Sequence, residues 1–85
     1  MKQSLAAYWA ERLQNDNEDA AILQELRDLA ASDEPFVRWF GVFADQDHYV
    51  FDDGSILEER ELKVFEGAAA ENLKRELEKK EADIN

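Results

Sequence analysis

One dipeptide constrains this chain more than any other: Asp53-Gly54, set between two apolar stretches, Tyr49-Val50-Phe51 and Ile56-Leu57. Asp-Gly between alternating segments is a strong signal for a two-residue β-hairpin loop, because both central positions of a type I′ turn need positive φ. Such a loop sets the register. Asp52 then faces Ser55, Phe51 faces Ile56 and Tyr49 faces Glu58. A third strand is predicted over Glu61 to Glu66, with either Leu62 and Val64 or Lys63 and Phe65 turned inward, and Gly67 ends it.

Helical periodicity governs the rest. Residues 3 to 14 place Leu5, Tyr8, Trp9, Arg12 and Leu13 at helical spacing, with Leu5, Trp9 and Leu13 on one stripe. Asn15-Asp16-Asn17 interrupts the pattern. Asn17 suits an N-cap, and Glu18 and Asp19 complement the positive end of the next helix. That helix runs to about Ala31 and buries Ile22, Leu23, Leu26, Leu29 and Ala30, with Glu18, Glu25 and Asp28 on its outer side. Ser32-Asp33-Glu34-Pro35 resembles another helix start, since proline is tolerated in the first turn. Phe36, Trp39, Phe40 and Phe43 then recur at helical spacing, although Val37, Trp39, Gly41 and Phe43 also alternate as in a strand. A short helix ending near Gly41 is the favoured reading. A last helix turns Ala70, Leu73 and Leu77 inward and runs to about Glu81, with Asp83-Ile84-Asn85 fraying. The predicted fold is α+β in one domain, residues 1–85: N-terminal helices packed on a small antiparallel β-meander, followed by a C-terminal helix. The helices are expected on one face of the sheet. The expected radius of gyration is ~12 Å.

The chain holds 21 acidic and 10 basic side chains, for a net charge of −11. Two blocks carry the whole excess. Residues 16–34 contain seven acids and one base, Arg27, and residues 45–61 contain seven acids and one base, Arg60. Residues 74–85 are balanced, and the pairs Glu71 and Arg75, Lys74 and Glu78, and Glu76 and Lys80 stand at the i, i+4 spacing of a self-neutralising helix face. A surface this acidic repels nucleic acid and anionic lipid and attracts basic partners, so direct nucleic-acid or membrane binding is not expected. There is no cysteine, hence no disulfide or thiolate chemistry. With no apolar leader and no run of membrane-spanning length, the expected location is the cytoplasm, of a host bacterium if the chain is phage-encoded.

No catalytic constellation emerges. Asp45-x-Asp47 continues with Tyr49, Val50 and Ile56 where a calcium loop needs an oxygen ligand, glycine and glutamate. Asn15-x-Asn17-x-Asp19 fails likewise at Ala20 and Leu26. One histidine and no cysteine make a poor zinc site. Gly54-Ser55 lacks the setting of a nucleophile elbow. Asp52 and Asp53 sit at a hairpin tip, which offers no pocket to tune an acid and a base. His48 is expected on an exposed strand face. The reading is a non-enzyme without cofactor or metal.

Duplex DNA carries one charge per ~1.7 Å of axis, so a stretch of about 30 Å holds roughly 18. If both acidic blocks share one face, their carboxylates approach that density and fit the Lys and Arg positions of a DNA-binding groove. The segment Tyr49-Val50-Phe51-Asp52-Asp53-Gly54-Ser55-Ile56-Leu57, within a short acidic α+β chain, resembles small phage and prophage proteins, among them type I anti-CRISPR inhibitors of the DNA-mimic kind. The likeness covers about a tenth of the chain. It implies an acidic inhibitor seated in the basic DNA-entry groove of a nucleoprotein complex. The contact would be made by Glu18, Glu25, Asp28, Asp45, Asp47, Asp52, Asp53, Glu58 and Glu59, with the hairpin as a rigid display. The balanced C-terminal helix departs from the strongly acidic one such proteins often carry. The alternative is a generic acidic interaction module, an adaptor, antitoxin-like regulator or subunit, that binds a basic protein partner.

Overall fold

The computed structural model describes residues 3–15, 19–32, 36–43 and 46–84, with backbone alone for 19, 20, 41–43, 46 and 84. Two helices, α1 (Leu5–Asn15) and α2 (Asp19–Ala31), precede four strands, β1 (Val37–Phe43), β2 (Gln46–Phe51), β3 (Ile56–Glu58) and β4 (Lys63–Phe65); α3 (Gly67–Ile84) closes the chain. The strands form one antiparallel meander in chain order. The fold is α+β, as predicted. Its radius of gyration is 12.5 Å and its extents are 37 × 28 × 25 Å.

The helices do not share one face of the sheet. Ala6, Trp9, Ala10 and Leu13 of α1 and Ile22 and Leu26 of α2 pack on Val37, Tyr49, Phe51 and Leu57. On the opposite face, Ala70 and Leu77 of α3 pack on Phe40, Val50 and Ile56, with Leu73 and Phe65 at the margin. The strands at the centre are therefore covered twice. That explains the unbroken apolar runs Tyr49-Val50-Phe51 and Ile56-Leu57, because a strand buried on both faces does not alternate. His48, expected on an exposed face, is buried for the same reason.

Residues 37–43 are a strand, not the favoured short helix. The aromatic spacing satisfied both periods, and pairing along β2 decided between them: Val37 lies opposite Phe51, Trp39 opposite Tyr49 and Phe40 opposite His48. Residues 37 and 40 then serve opposite layers of the core. Between Phe40 and Phe43 the register shifts by one residue, a bulge that contains Gly41. The proposed helix start at 33–35 and the N-cap at Asn17 lie outside the described residues.

The hairpin exists, with a different loop. Val50 pairs with Ile56, Tyr49 with Leu57 and His48 with Glu58, one residue away from the predicted register. Asp52, Asp53 and Gly54 form a three-residue loop. Gly54 N–H donates to Phe51 O at 2.9 Å and Phe51 N–H to Ser55 O at 2.9 Å. Gly54 has φ +90° and Asp53 has no positive φ, which excludes type I′ and matches a type I turn followed by a left-handed glycine. A one-residue slip exchanges the faces of a strand. The observed register keeps Tyr49, Phe51 and Leu57 toward α1 and α2 while Val50 and Ile56 meet α3.

β4 is shorter than predicted, and Leu62 belongs to the turn before it, with φ +56°. Phe65 faces the α3 layer, whereas Val64 is exposed. α3 continues past Glu81 to Ile84 instead of fraying. Its last turns are held to the sheet by Arg38 of β1, whose Nη2 lies 2.6 Å from Glu81 Oε1.

Candidate functional site

The acids singled out from sequence have separate fates. Asp53 is consumed by the N-terminus of α1. Its Oδ2 accepts the N–H of Leu5 at 2.9 Å, while its Oδ1 accepts the N–H and the hydroxyl of Ser55 at 2.9 and 2.5 Å. Ser55 Oγ in turn accepts Ala6 N–H at 3.0 Å, and Ser4 Oγ accepts Ala7 N–H at 3.2 Å. A helix begins with N–H groups that lack intrahelical partners. Here the hairpin loop, about fifty residues away in sequence, supplies acceptors for two of them. Desolvation pushes the Asp53 carboxyl up, but the hydrogen bonds from Leu5 and Ser55 outweigh it and hold the group below the ordinary range.

Glu58, expected among the partner-contact residues, is 3% exposed. Its Oε1 accepts Arg60 N–H at 2.9 Å and its Oε2 accepts Glu61 N–H at 2.8 Å. This carboxylate closes the β3–β4 turn, in which Leu62 takes its left-handed backbone. Glu59 is also withdrawn, with its side chain 16% exposed. Arg27 Nη2 lies 3.1 Å from Glu59 Oε1, and the Tyr49 hydroxyl donates to the same oxygen at 3.0 Å. Burial is the main reason that the Glu59 carboxyl is raised, and the neighbouring Asp47 carboxyl adds to it. Burial raises the Tyr49 phenol as well.

The remaining residues are scattered. Glu25 pairs with Arg12 at 3.2 Å, and that guanidinium stacks 4.8 Å from the Trp9 ring centroid, so Glu25 helps join α1 to α2. Asp28 is exposed and accepts a hydrogen bond from Gln24 at 2.9 Å. Asp52 is exposed beside the groove between the sheet and α3, in the company of Arg38, Lys74 and Glu78. Glu18 and Asp45 lie outside the described residues. The two acidic blocks touch at one corner, where Arg27 of α2 pairs with Glu59 and lines a cleft with Asp47. The hairpin tip lies at the other end of β2.

Comparison with protein families, curated proteins and solved structures finds no match for the chain. Among the described residues no three His, Asp or Glu side chains form a group fit to hold a metal ion, and no helix is long and apolar enough to cross a membrane.

The feature that sequence reasoning did not assign as a site lies beside that corner. Trp39 shares the sheet face of Val37 and Tyr49 yet is 48% exposed. It lines a cleft of about 360 Å³ with Ala30, Ala31, Arg27 and Asp47. An exposed tryptophan next to two alanines leaves apolar surface uncovered, which is the kind of feature that marks contact sites. Only the break in the burial of this aromatic stripe reveals it, and burial is not visible in periodicity.

Proposed function

We propose that the chain is a non-catalytic interaction module that docks on a basic protein surface. The supporting observation is the net charge of −11 carried on a body 25 to 37 Å across. Charge of one sign at this density opposes the compact state and speeds encounter with oppositely charged surfaces. The capping roles of Asp53 and Glu58 satisfy backbone donors without lowering the net charge.

The narrower reading, a DNA mimic in the manner of anti-CRISPR inhibitors, keeps support from the same charge. A duplex as long as the largest extent, 37 Å, carries about 22 phosphate charges. The display would then rest on Asp28 and Asp52, an exposed acid from each block, since Asp53, Glu58 and Glu59 are engaged within the fold. The test is a pulldown from bacterial lysate with and without competing duplex DNA, using the native chain and a variant carrying Asp28→Asn and Asp52→Asn. A partner retained at low salt, lost at high salt and weakened in the variant fits the general reading, and displacement by duplex DNA adds the mimic. Equal capture by both chains at all salt concentrations overturns both.

A further inference from the structure

The corner where the two acidic blocks meet is short of positive charge. Among the described residues, Glu59 accepts from the Arg27 guanidinium and the Tyr49 hydroxyl through its Oε1. Asp47 is half-buried beside it, and among the described residues no basic side chain forms an ion pair with Asp47. Of these two neighbouring acids, only Glu59 has an ion pair among the described residues. Burial first, and then the adjoining Asp47 carboxyl, raise the Glu59 carboxyl.

The cleft beside this pair opens onto a different chemistry. Ala30 and Ala31 form an apolar wall at the end of α2, the half-exposed indole of Trp39 stands with them, and Arg27, turned to Glu59, and Asp47 complete the lining. An apolar wall, an aromatic face and a carboxylate that forms no ion pair among the described residues are the three contacts that an arginine side chain uses. Its aliphatic stem covers apolar surface, its planar guanidinium stacks on an aromatic ring, and its N–H fork meets a carboxylate.

Resting on the reading of the chain as a module for basic partners, we infer that the Trp39 cleft is its anchor point and receives an arginine side chain of the partner. The stem lies along Ala30 and Ala31, and the guanidinium lies against the Trp39 indole with Asp47 as its counter-ion. Charge selects this occupant over a second copy, since self-docking brings two surfaces of net charge −11 together. An uncharged apolar segment would fill the wall and leave Asp47 without an ion pair.

The probe is an acetylated, amidated nonapeptide alternating arginine and alanine, titrated into the labelled full chain at low salt and followed through the two indole N–H resonances. Trp39 should shift and saturate while the buried Trp9 stays in place. Peptides with lysine, or with citrulline as the neutral isostere of arginine, should bind more weakly in that order. Trp39→Ala and Asp47→Asn should each weaken binding about tenfold, the loss of one stacking or charged contact. Ala31→Leu, which fills the cleft and removes nothing, should do the same; melting curves identify any variant that fails to fold, and the others carry the result. Binding that shifts α3 or Asp28 but not Trp39 overturns the anchor point and leaves the basic-partner reading standing. An absence of binding by any basic peptide counts against both. Equal binding of the citrulline peptide, or sedimentation showing a dimer that Trp39→Ala abolishes, overturns the arginine assignment.

Discussion

The Asp52–Ser55 loop and the Asp47–Glu59 corner lie at opposite ends of β2, and both crowd carboxylates, yet the carboxylates do opposite things. At the loop, donors are plentiful: Asp53 meets two backbone N–H groups and a hydroxyl, and its proton is held less tightly than usual. At the corner, Asp47 and Glu59 stand side by side, the Arg27 guanidinium pairs with Glu59, and Glu59 holds its proton more tightly than usual. The residue type is nearly the same; the number of donors within reach differs. An acid that finds donors becomes part of the fold, and an acid that does not is available to a partner. Acid-rich sequence alone cannot separate the two.

The contrast is tested most severely at Glu58, the buried acid between the two regions. Glu58→Ala removes two charge-assisted hydrogen bonds and leaves two turn N–H groups unmet, and it should lower stability by about 2–4 kcal/mol by chemical denaturation. Asp52→Ala, six residues away on the exposed tip, should stay within about 0.5 kcal/mol. Equal effects would mean that the turn does not depend on its carboxylate.

The next largest effect is expected at Gly54. A Cβ there meets nothing within 4 Å, so a substitution feels only the backbone strain of φ +90°. Gly54→Val should destabilise by about 1–2 kcal/mol, with Gly54→Asn closer to the parent. A Val variant as stable as the parent would remove the left-handed glycine on which the three-residue loop rests.

Asp53→Ala should lose about 1 kcal/mol by uncapping α1, with reduced protection of the Leu5 and Ser55 amides from hydrogen exchange. Unchanged protection at both amides would show that the hairpin tip and α1 are not coupled.

The smallest effect separates the two regions by pH. The Glu59 carboxyl is raised in the folded state, so the fold binds the proton that the unfolded chain releases. Its contribution is fully present below the unfolded value, near ~4.3, and is lost as pH rises through the folded value. Asp53 is lowered, so its contribution is present above the unfolded value, near ~3.9, and is lost as pH falls through the folded one. Glu59→Gln should therefore flatten the stability profile above pH ~4.3, and Asp53→Asn should flatten it below pH ~3.9. Melting temperatures measured across that range check both. Identical profiles for the two variants would erase the distinction drawn here.

Much of the helical structure was legible because each stripe is local. Leu5, Trp9 and Leu13, then Ile22 and Leu26, then Ala70 and Leu77, recur at helical spacing and all line the core or its margin. The hairpin was legible from Asp53-Gly54, though its register was not, since a three-residue loop and a two-residue loop share that dipeptide. Residues 36–43 satisfied two periods at once, and only a neighbouring strand could choose between them. The Trp39 cleft was illegible for a related reason: the stripe that includes Trp39 also includes buried residues, and where α2 stops covering the sheet is not a property of β1.

By itself the sequence determined the α+β class, the three helices with their apolar faces, the presence of the hairpin and the net charge. These depend on composition and on contacts within a few residues. The tertiary structure alone decided that α3 covers the second face of the sheet, that residues 37–43 extend along β2, and which acids are spent. Asp53 reaches the N-terminus of α1 across 48 residues, and Glu59 reaches Arg27 across 32. Donors that distant leave no trace in local pattern, because a carboxylate has the same place in a sequence whether its partner is water or a helix end.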